Sequence, residues 1–274
     1  MVGWQALGKS VRGAAHTRRS IVNQDALAYS NTNPAIAAVA DGLGGKKYIR
    51  SHTGSRLAAL CAIEAAQSGL YLRAEMGGES LEDSARHLKT QLLLRWQRAV
   101  DADYDANPFT EDELTILETL EPIHHRTAYA TTLLWAVAYD DLVLLFQCGD
   151  GDILALHDGS APRSMLDDDS FGNDTTPLSA LKSPSEIRHT ILSGEDVPHL
   201  ITLSTDGVKN SFDDTNQDDN KFYSIPSWIK SELDNLTPFD AEAIEALLAK
   251  QLEKITTGGS GDDVTISVLY KLRR

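Results

Sequence analysis

The sequence predicts an α+β fold, antiparallel β-sheets with α-helices packed on their faces. Two observations carry this expectation. Neighbouring apolar runs are joined by short turns, and strands joined that way pair antiparallel. The helical patterns gather in two blocks instead of alternating with every strand, which disfavours a doubly wound parallel sheet. A third observation bears on the site. Several apolar runs end in aspartate, often beside glycine, where a buried strand would not ordinarily place a charge.

In chain order, "WQALGKSVRG" and "DALAYSN" read as strands, and "AIAAVA" as a strand buried on both faces. A helical pattern runs from Tyr48 to Leu70. Ser80 and Asp83 open a helix reaching about Asp103 in the manner of a capping box, and Thr110 and Glu113 open a shorter one. Strands return with "TAYATTLLWAVAY", "LVLLFQCG" and "DILALHDGSAPRSM", the last turning at His157-Asp158-Gly159 as a hairpin. "IRHTIL" and "HLITLS" follow. Two late helices are expected near Tyr223–Leu233 and Pro238–Ile255, and "DVTISVLY" closes the chain as a strand. No repeat or long linker interrupts this order, so residues 1–274 read as a single domain.

Composition narrows the function. The 274 residues are 42% hydrophobic and carry a formal charge of −15. A core is therefore expected, and a nucleic-acid partner is disfavoured for want of a basic face. No run of eighteen apolar residues exists, so no transmembrane helix is expected. The start, "MVGWQALGKSVRG", lacks the sustained apolar stretch of a signal peptide, which points to a cytoplasmic protein. Cys61 and Cys148 lie in apolar runs and read as small core residues, and there is no zinc ligand set. The acidic stretches "LDDDSFGNDTT" and "FDDTNQDDN" read as solvated loops.

Five aspartates stand at strand ends: Asp25, Asp41, Asp150, Asp206 and Asp262. One Asp-Gly pair is ordinarily a turn. Several, each ending an apolar strand, can converge on one rim of stacked sheets. Clustered carboxylates repel one another and persist when a multivalent cation neutralises them. An all-oxygen set selects hard ions, Mg²⁺ or Mn²⁺. Two such ions generate a nucleophilic hydroxide at neutral pH and neutralise phosphoryl charge; on this reading Asp41 bridges them.

Six short motifs occur in a telling order: Asn23-Gln24-Asp25, Val39 to Gly45 ("VADGLGG"), Ala130-Thr131-Thr132, Gly149-Asp150-Gly151, Ser204-Thr205-Asp206-Gly207 and Gly261 to Thr265 ("GDDVT"). Together they resemble the type-2C, metal-dependent serine/threonine protein phosphatases, in a divergent bacterial form. The resemblance implies a sandwich of two antiparallel β-sheets flanked by α-helices in an α-β-β-α order, with the metal centre at one rim, and hydrolysis of phosphoserine and phosphothreonine in proteins by a metal-bound hydroxide. The implied partners are phosphorylated proteins and a cognate serine/threonine kinase or its targets, with neither nucleic acid nor membrane. By position it assigns Asp41 to both metals, with Gly42 offering its carbonyl. Asp25 acts mainly through a bound water and with Asp41 forms the catalytic pair. Asp206 and Asp262 hold one metal, and Asp150 matches a third, weaker metal. An aspartate four residues past the "STDG" aspartate is here Asn210, which leaves the third metal open.

Other positions depart from the family. Gln24 replaces a glutamate, Leu43 a histidine that acts as general acid in some members, Lys46 a histidine, and Ala130 a glycine. The family's phosphate-binding arginine falls at Ser20. Arg18 and Arg19 lie just upstream, and either supplies a bidentate clamp if the alignment slips by one or two residues. His16 either faces the site or caps a turn. The competing reading of the whole is a phosphoprotein-binding pseudophosphatase or regulatory scaffold.

Overall fold

The computed structural model describes residues 3–75, 80–166, 176–213, 219–236 and 240–272. Most of "LDDDSFGNDTT" and part of "FDDTNQDDN" fall outside them, as do the first residues of the helix expected from Pro238.

Two five-stranded antiparallel sheets form the centre. One contains β1 (Trp4–Val11), β10 (Val264–Lys271), β9 (Leu200–Ser204), β6 (Asp152–Leu156) and β7 (Arg163–Ser164), in that order. The other contains β2 (Asp25–Ser30), β3 (Ala35–Asp41), β4 (Leu133–Ala138), β5 (Leu142–Cys148) and β8 (Arg188–Ser193). The expected architecture is thus the observed one.

β3 shows why its sequence is apolar without alternation. Ala35, Ala37 and Val39 face the other sheet, packing with Leu134, Leu145, Ile201 and Leu203. Ile36, Ala38 and Ala40 face outward onto α2 (Ser51–Glu75) and α3 (Leu81–Ala106). A strand covered on both faces has no polar side. On the opposite sheet, Leu7, Leu154, Ile266 and Val268 pack against Ile244, Leu248 and Leu252 of α8 (Ala241–Gly258) and Ile229 of α7 (Ile225–Asn235). The large buried rings Trp96 of α3, Trp135 of β4 and Phe146 of β5 share the core between this sheet and the α2–α3 layer, with Trp135 and Phe146 stacked at 4.2 Å. Each fully buried side chain of this kind contributes about 2–3 kcal/mol of transfer free energy.

Local signals behave as their chemistry dictates. The Ser80 hydroxyl caps α3 by accepting from the Asp83 amide, and Thr110 and Glu113 complete a capping box at α4 (Glu111–Leu117). Gly159, in the corner between β6 and β7, has φ +71°. Four elements differ from expectation. "TAYATTLLWAVAY" is not strand throughout: His125–Tyr129 is a 3-10 turn, and only Leu133–Ala138 is β4. The helix expected near Tyr223–Leu233 is α7, and a short helix without a counterpart in the sequence reading, α6 (Asp219–Tyr223), precedes it across Ser224. Two more short helices, α1 (Ala14–Arg19) and α5 (Asp206–Asp213), have no counterpart in the sequence reading. Both follow a sheet strand closely and are too short for a readable apolar period.

Candidate metal centre

The strand ends converge. Register places Asp25 directly opposite Asp41 across β2 and β3. Asp206 is the first residue of α5, two positions after β9; Asp262 precedes β10; Asp150 lies in the β5–β6 turn. A cleft of about 330 Å³ on this rim is lined by Asp41, Gly42, Asp150, Asp206, Asp262 and Asp263, with His16, Gln24, Leu43, Gly44, Tyr48 and Thr132 completing the wall. Asp25 lies beneath it, 8% exposed.

Backbone and side-chain contacts position several of these aspartates. The Asp41 amide donates to Thr132 Oγ1 at 3.1 Å, and its carbonyl accepts from the Thr132 amide at 2.8 Å and from Thr131 Oγ1 at 2.9 Å. This is the work of the Thr131-Thr132 pair. Gly42 bridges to Thr131, and a Cβ there would lie 2.7 Å from the Ser51 carbonyl and 2.8 Å from Gln24 O, so only glycine fits. Asp25 Oδ2 accepts from Thr205 Oγ1 at 2.8 Å and Thr265 Oγ1 at 2.7 Å, which joins β2 to the opposite sheet. Asp206 Oδ2 accepts from Asn210 Nδ2 at 3.0 Å. Gln147 steadies the Asp150 turn by donating to Gly149 O and Gly151 O.

The electrostatics are those of crowded anions. Burial pushes the Asp25 carboxyl up to about 8, against the two threonine hydroxyls that favour its ionised form; the charges of Asp263 and Asp262 add to the rise. Asp41 is held well above the ordinary carboxylate range, by burial first and then by the charges of Asp25 and Asp206. Asp206 is raised by burial and by Asp150 and Asp262, while hydrogen bonds from Asp41 and Asn210 oppose the rise. Among the described residues, no lysine or arginine lines the cleft. A rim of mutually repelling aspartates is a donor set that fits hard divalent cations.

All the aspartates named from sequence are therefore brought to one rim. Arg18 and Arg19 are not: both are exposed at the end of α1 and stand outside the cleft lining. Two residues there lack a sequence signal as strong as the strand-end aspartates. Asp263 is 3% exposed and accepts from the Gly13 and Gln24 amides, each at 2.6 Å. His16 faces the cleft, with Nε2 3.4 Å from Asp262 Oδ1 and Nδ1 3.0 Å from Asp263 Oδ2. The second aspartate of "GDD" is the available hint for Asp263. Gln24 lines the cleft without adding charge, its amide donating to Ser51 Oγ at 2.7 Å.

An α-β-β-α sandwich with an aspartate-lined rim is the architecture of metal-dependent protein phosphatases. The chain belongs to the protein phosphatase 2C family, whose model matches residues 12–253. No curated protein sequence matches it. Solved structures share the fold at low identity. PppA, described as a key regulatory component of T6SS in Pseudomonas aeruginosa, is 18% identical over 98% of both chains with a TM-score of 0.59. The catalytic domain of the serine/threonine protein phosphatase PstP, solved with two manganese ions, is 20% identical over 100% of both chains with a TM-score of 0.58. Serine/threonine phosphatase Stp1 from Staphylococcus aureus is 15% identical over 100% of this chain and 96% of its own, with a TM-score of 0.57. The family model thus groups this chain with the type-2C protein phosphatases, and the solved structures show that it shares their fold.

Proposed function

We propose that the chain is an active phosphatase, one catalytic unit spanning residues 1–274, that hydrolyses phosphoserine and phosphothreonine in proteins with Mn²⁺ or Mg²⁺ as cofactor. The observation that carries this reading is the convergence of Asp25, Asp41, Asp206 and Asp262 on one rim, three of them with carboxyls pushed upward by burial and crowding. A pseudophosphatase has little reason to keep so costly a cluster.

Asp41, the Gly42 carbonyl, Asp206 and Asp262 would hold a pair of cations, Asp25 would act through water beneath them, and Asp150 is the candidate for a weaker third. When bound, such ions supply Lewis acidity toward phosphoryl oxygens and lower the pKa of water. The chain's own groups do the rest. Thr131 and Thr132 clamp the Asp41 backbone, so its carboxylate keeps a fixed position as charge changes around it. Thr205 and Thr265 donate to Asp25 Oδ2 and favour its ionised form, the form that would accept a proton from water once bound cations lower its pKa. The acidic wall repels a phosphate dianion by itself, so the same aspartates make substrate binding depend on the cations. Tyr48 stands in the cleft wall, an amphipathic ring suited to a phosphorylated side chain on an extended protein segment. The physiological substrates would be targets of an opposing serine/threonine kinase.

The test is turnover of phosphothreonine and phosphoserine peptides in Mn²⁺ and in Mg²⁺. Hydrolysis supports the reading. Binding of phosphopeptide without release of phosphate, in metal-loaded protein, would replace it with the phosphoprotein-binding alternative.

A further inference from the structure

We propose that His16 contributes an imidazole nitrogen to the metal centre, so that the cation held by Asp262 sits in a mixed nitrogen–oxygen site. This inference rests on the phosphatase reading for the presence of a cation, and goes beyond it in assigning a ligand that the strand-end aspartates do not include.

Three observations lead to it. First, both ring nitrogens face carboxylate oxygens, at 3.4 Å and 3.0 Å, yet neither makes an aligned hydrogen bond, and Nδ1 is closed off from solvent. Two ligands side by side on a cation with bonds near 2.1 Å stand roughly 3 Å apart, close to the separation of Nε2 and Asp262 Oδ1. Second, the surroundings match a metal-binding histidine, whose other nitrogen faces a fixed carboxylate. Asp263 is that carboxylate. The Gly13 and Gln24 amides donate to its two oxygens, and His16 Nδ1 lies 3.0 Å from Oδ2. Third, His16 is not on a loose segment. α1 is stapled to the loop before β10 by Ala15 N donating to Gly261 O at 2.8 Å, and to the end of α8 by Ala14 N donating to Thr256 Oγ1 at 3.0 Å. Gly207 supports the same corner, where an added Cβ would lie 2.1 Å from the Asp263 carbonyl. His16 and Asp262 therefore approach one point from two tied segments.

The chemical consequence is selectivity. Imidazole is a poor partner for Mg²⁺, which prefers hard oxygen, and a good one for transition ions. A nitrogen in the set raises affinity for Mn²⁺ more than for Mg²⁺.

The experiment uses the full chain loaded with Mn²⁺. Electron spin-echo modulation should show a directly bound ¹⁴N in the wild type, changing on ¹⁵N-histidine labelling. His16→Gln should abolish it, weaken Mn²⁺ binding by calorimetry about tenfold or more, and leave Mg²⁺ binding less affected. Asp263→Asn should retain the nitrogen signal with weaker Mn²⁺ binding. If the wild type binds Mn²⁺ without nitrogen modulation, the proposal is overturned while the phosphatase reading stands, whatever the variants do. If the wild type binds no Mn²⁺, the proposal is overturned, and the phosphatase reading falls with it if Mg²⁺ does not bind either.

Discussion

Replacing Asp25 by asparagine should stabilise the metal-free protein, and the gain should grow with pH. The carboxyl is 8% exposed and pushed up to about 8, chiefly by burial, from an ordinary 3.8. Between those values the folded state binds a proton that the unfolded state has released. Stability of the wild type therefore falls as pH rises through this window and levels off above about 8. At pH 7 the interval from 3.8, at about 1.4 kcal/mol per unit, comes to about 4 kcal/mol. Water entering the cleft and relaxation of the rim reduce this, so Asp25→Asn should gain about 2–4 kcal/mol, or about 5–15 °C in Tm for a chain of this size. The side-chain carbonyl still accepts from Thr205 and Thr265. The assay is thermal and urea unfolding of both proteins in chelator at pH 4, 5.5, 7 and 8.5. A difference that does not change with pH, or a variant less stable than wild type at pH 7, refutes the account of a crowded anionic rim.

Further outcomes follow from the same geometry. Asp41→Asn should lower kcat/KM by at least about 100-fold and raise the apo Tm, while losing most of the Tm increase that Mn²⁺ gives the wild type; steady-state kinetics and calorimetry check both halves. Gly42→Ala should cost about 1–3 kcal/mol, because its Cβ meets the Ser51 and Gln24 carbonyls, and urea melts measure this. The Arg18→Ala and Arg19→Ala double variant should keep kcat/KM on a small aryl phosphate within about twofold, since both residues stand outside the cleft lining; a loss of about 30-fold, the worth of a bidentate clamp of about 2 kcal/mol, would return the phosphate contact to them.

How much of this is legible in the sequence depends on the range of the signal. The Asp-Gly ends of apolar runs expose Asp41, Asp150 and Asp206, because a charge closing a strand is locally anomalous. The capping pairs at Ser80 and Thr110 are readable for the same reason: each works within four residues. The groups that hold the aspartates are not. Thr205 and Thr265 look like ordinary strand residues, and they meet Asp25 only through β9–β10 pairing and sheet stacking, contacts 180 and 240 residues apart in sequence. Asp263 reads as the neighbour of Asp262 until folding directs it to the amides of Gly13 and Gln24. His16 stands out as a histidine near the first aspartate, but its direction depends on α1, a helix of six residues that no periodicity announces. The arginines illustrate the converse. Sequence distance from Asp25 places them near the phosphate, whereas the fold leaves both exposed at the end of α1.

Cation-dependent hydrolysis of phosphorylated serine and threonine at this rim of aspartates is tested most directly by phosphate release from a phosphothreonine peptide. Wild type and Asp41→Asn are each assayed with Mn²⁺ and with chelator, the metal content determined in the same samples. The account predicts turnover only for the Mn²⁺-loaded wild type. Full turnover by wild-type protein containing no metal, or undiminished turnover by Asp41→Asn, would contradict it.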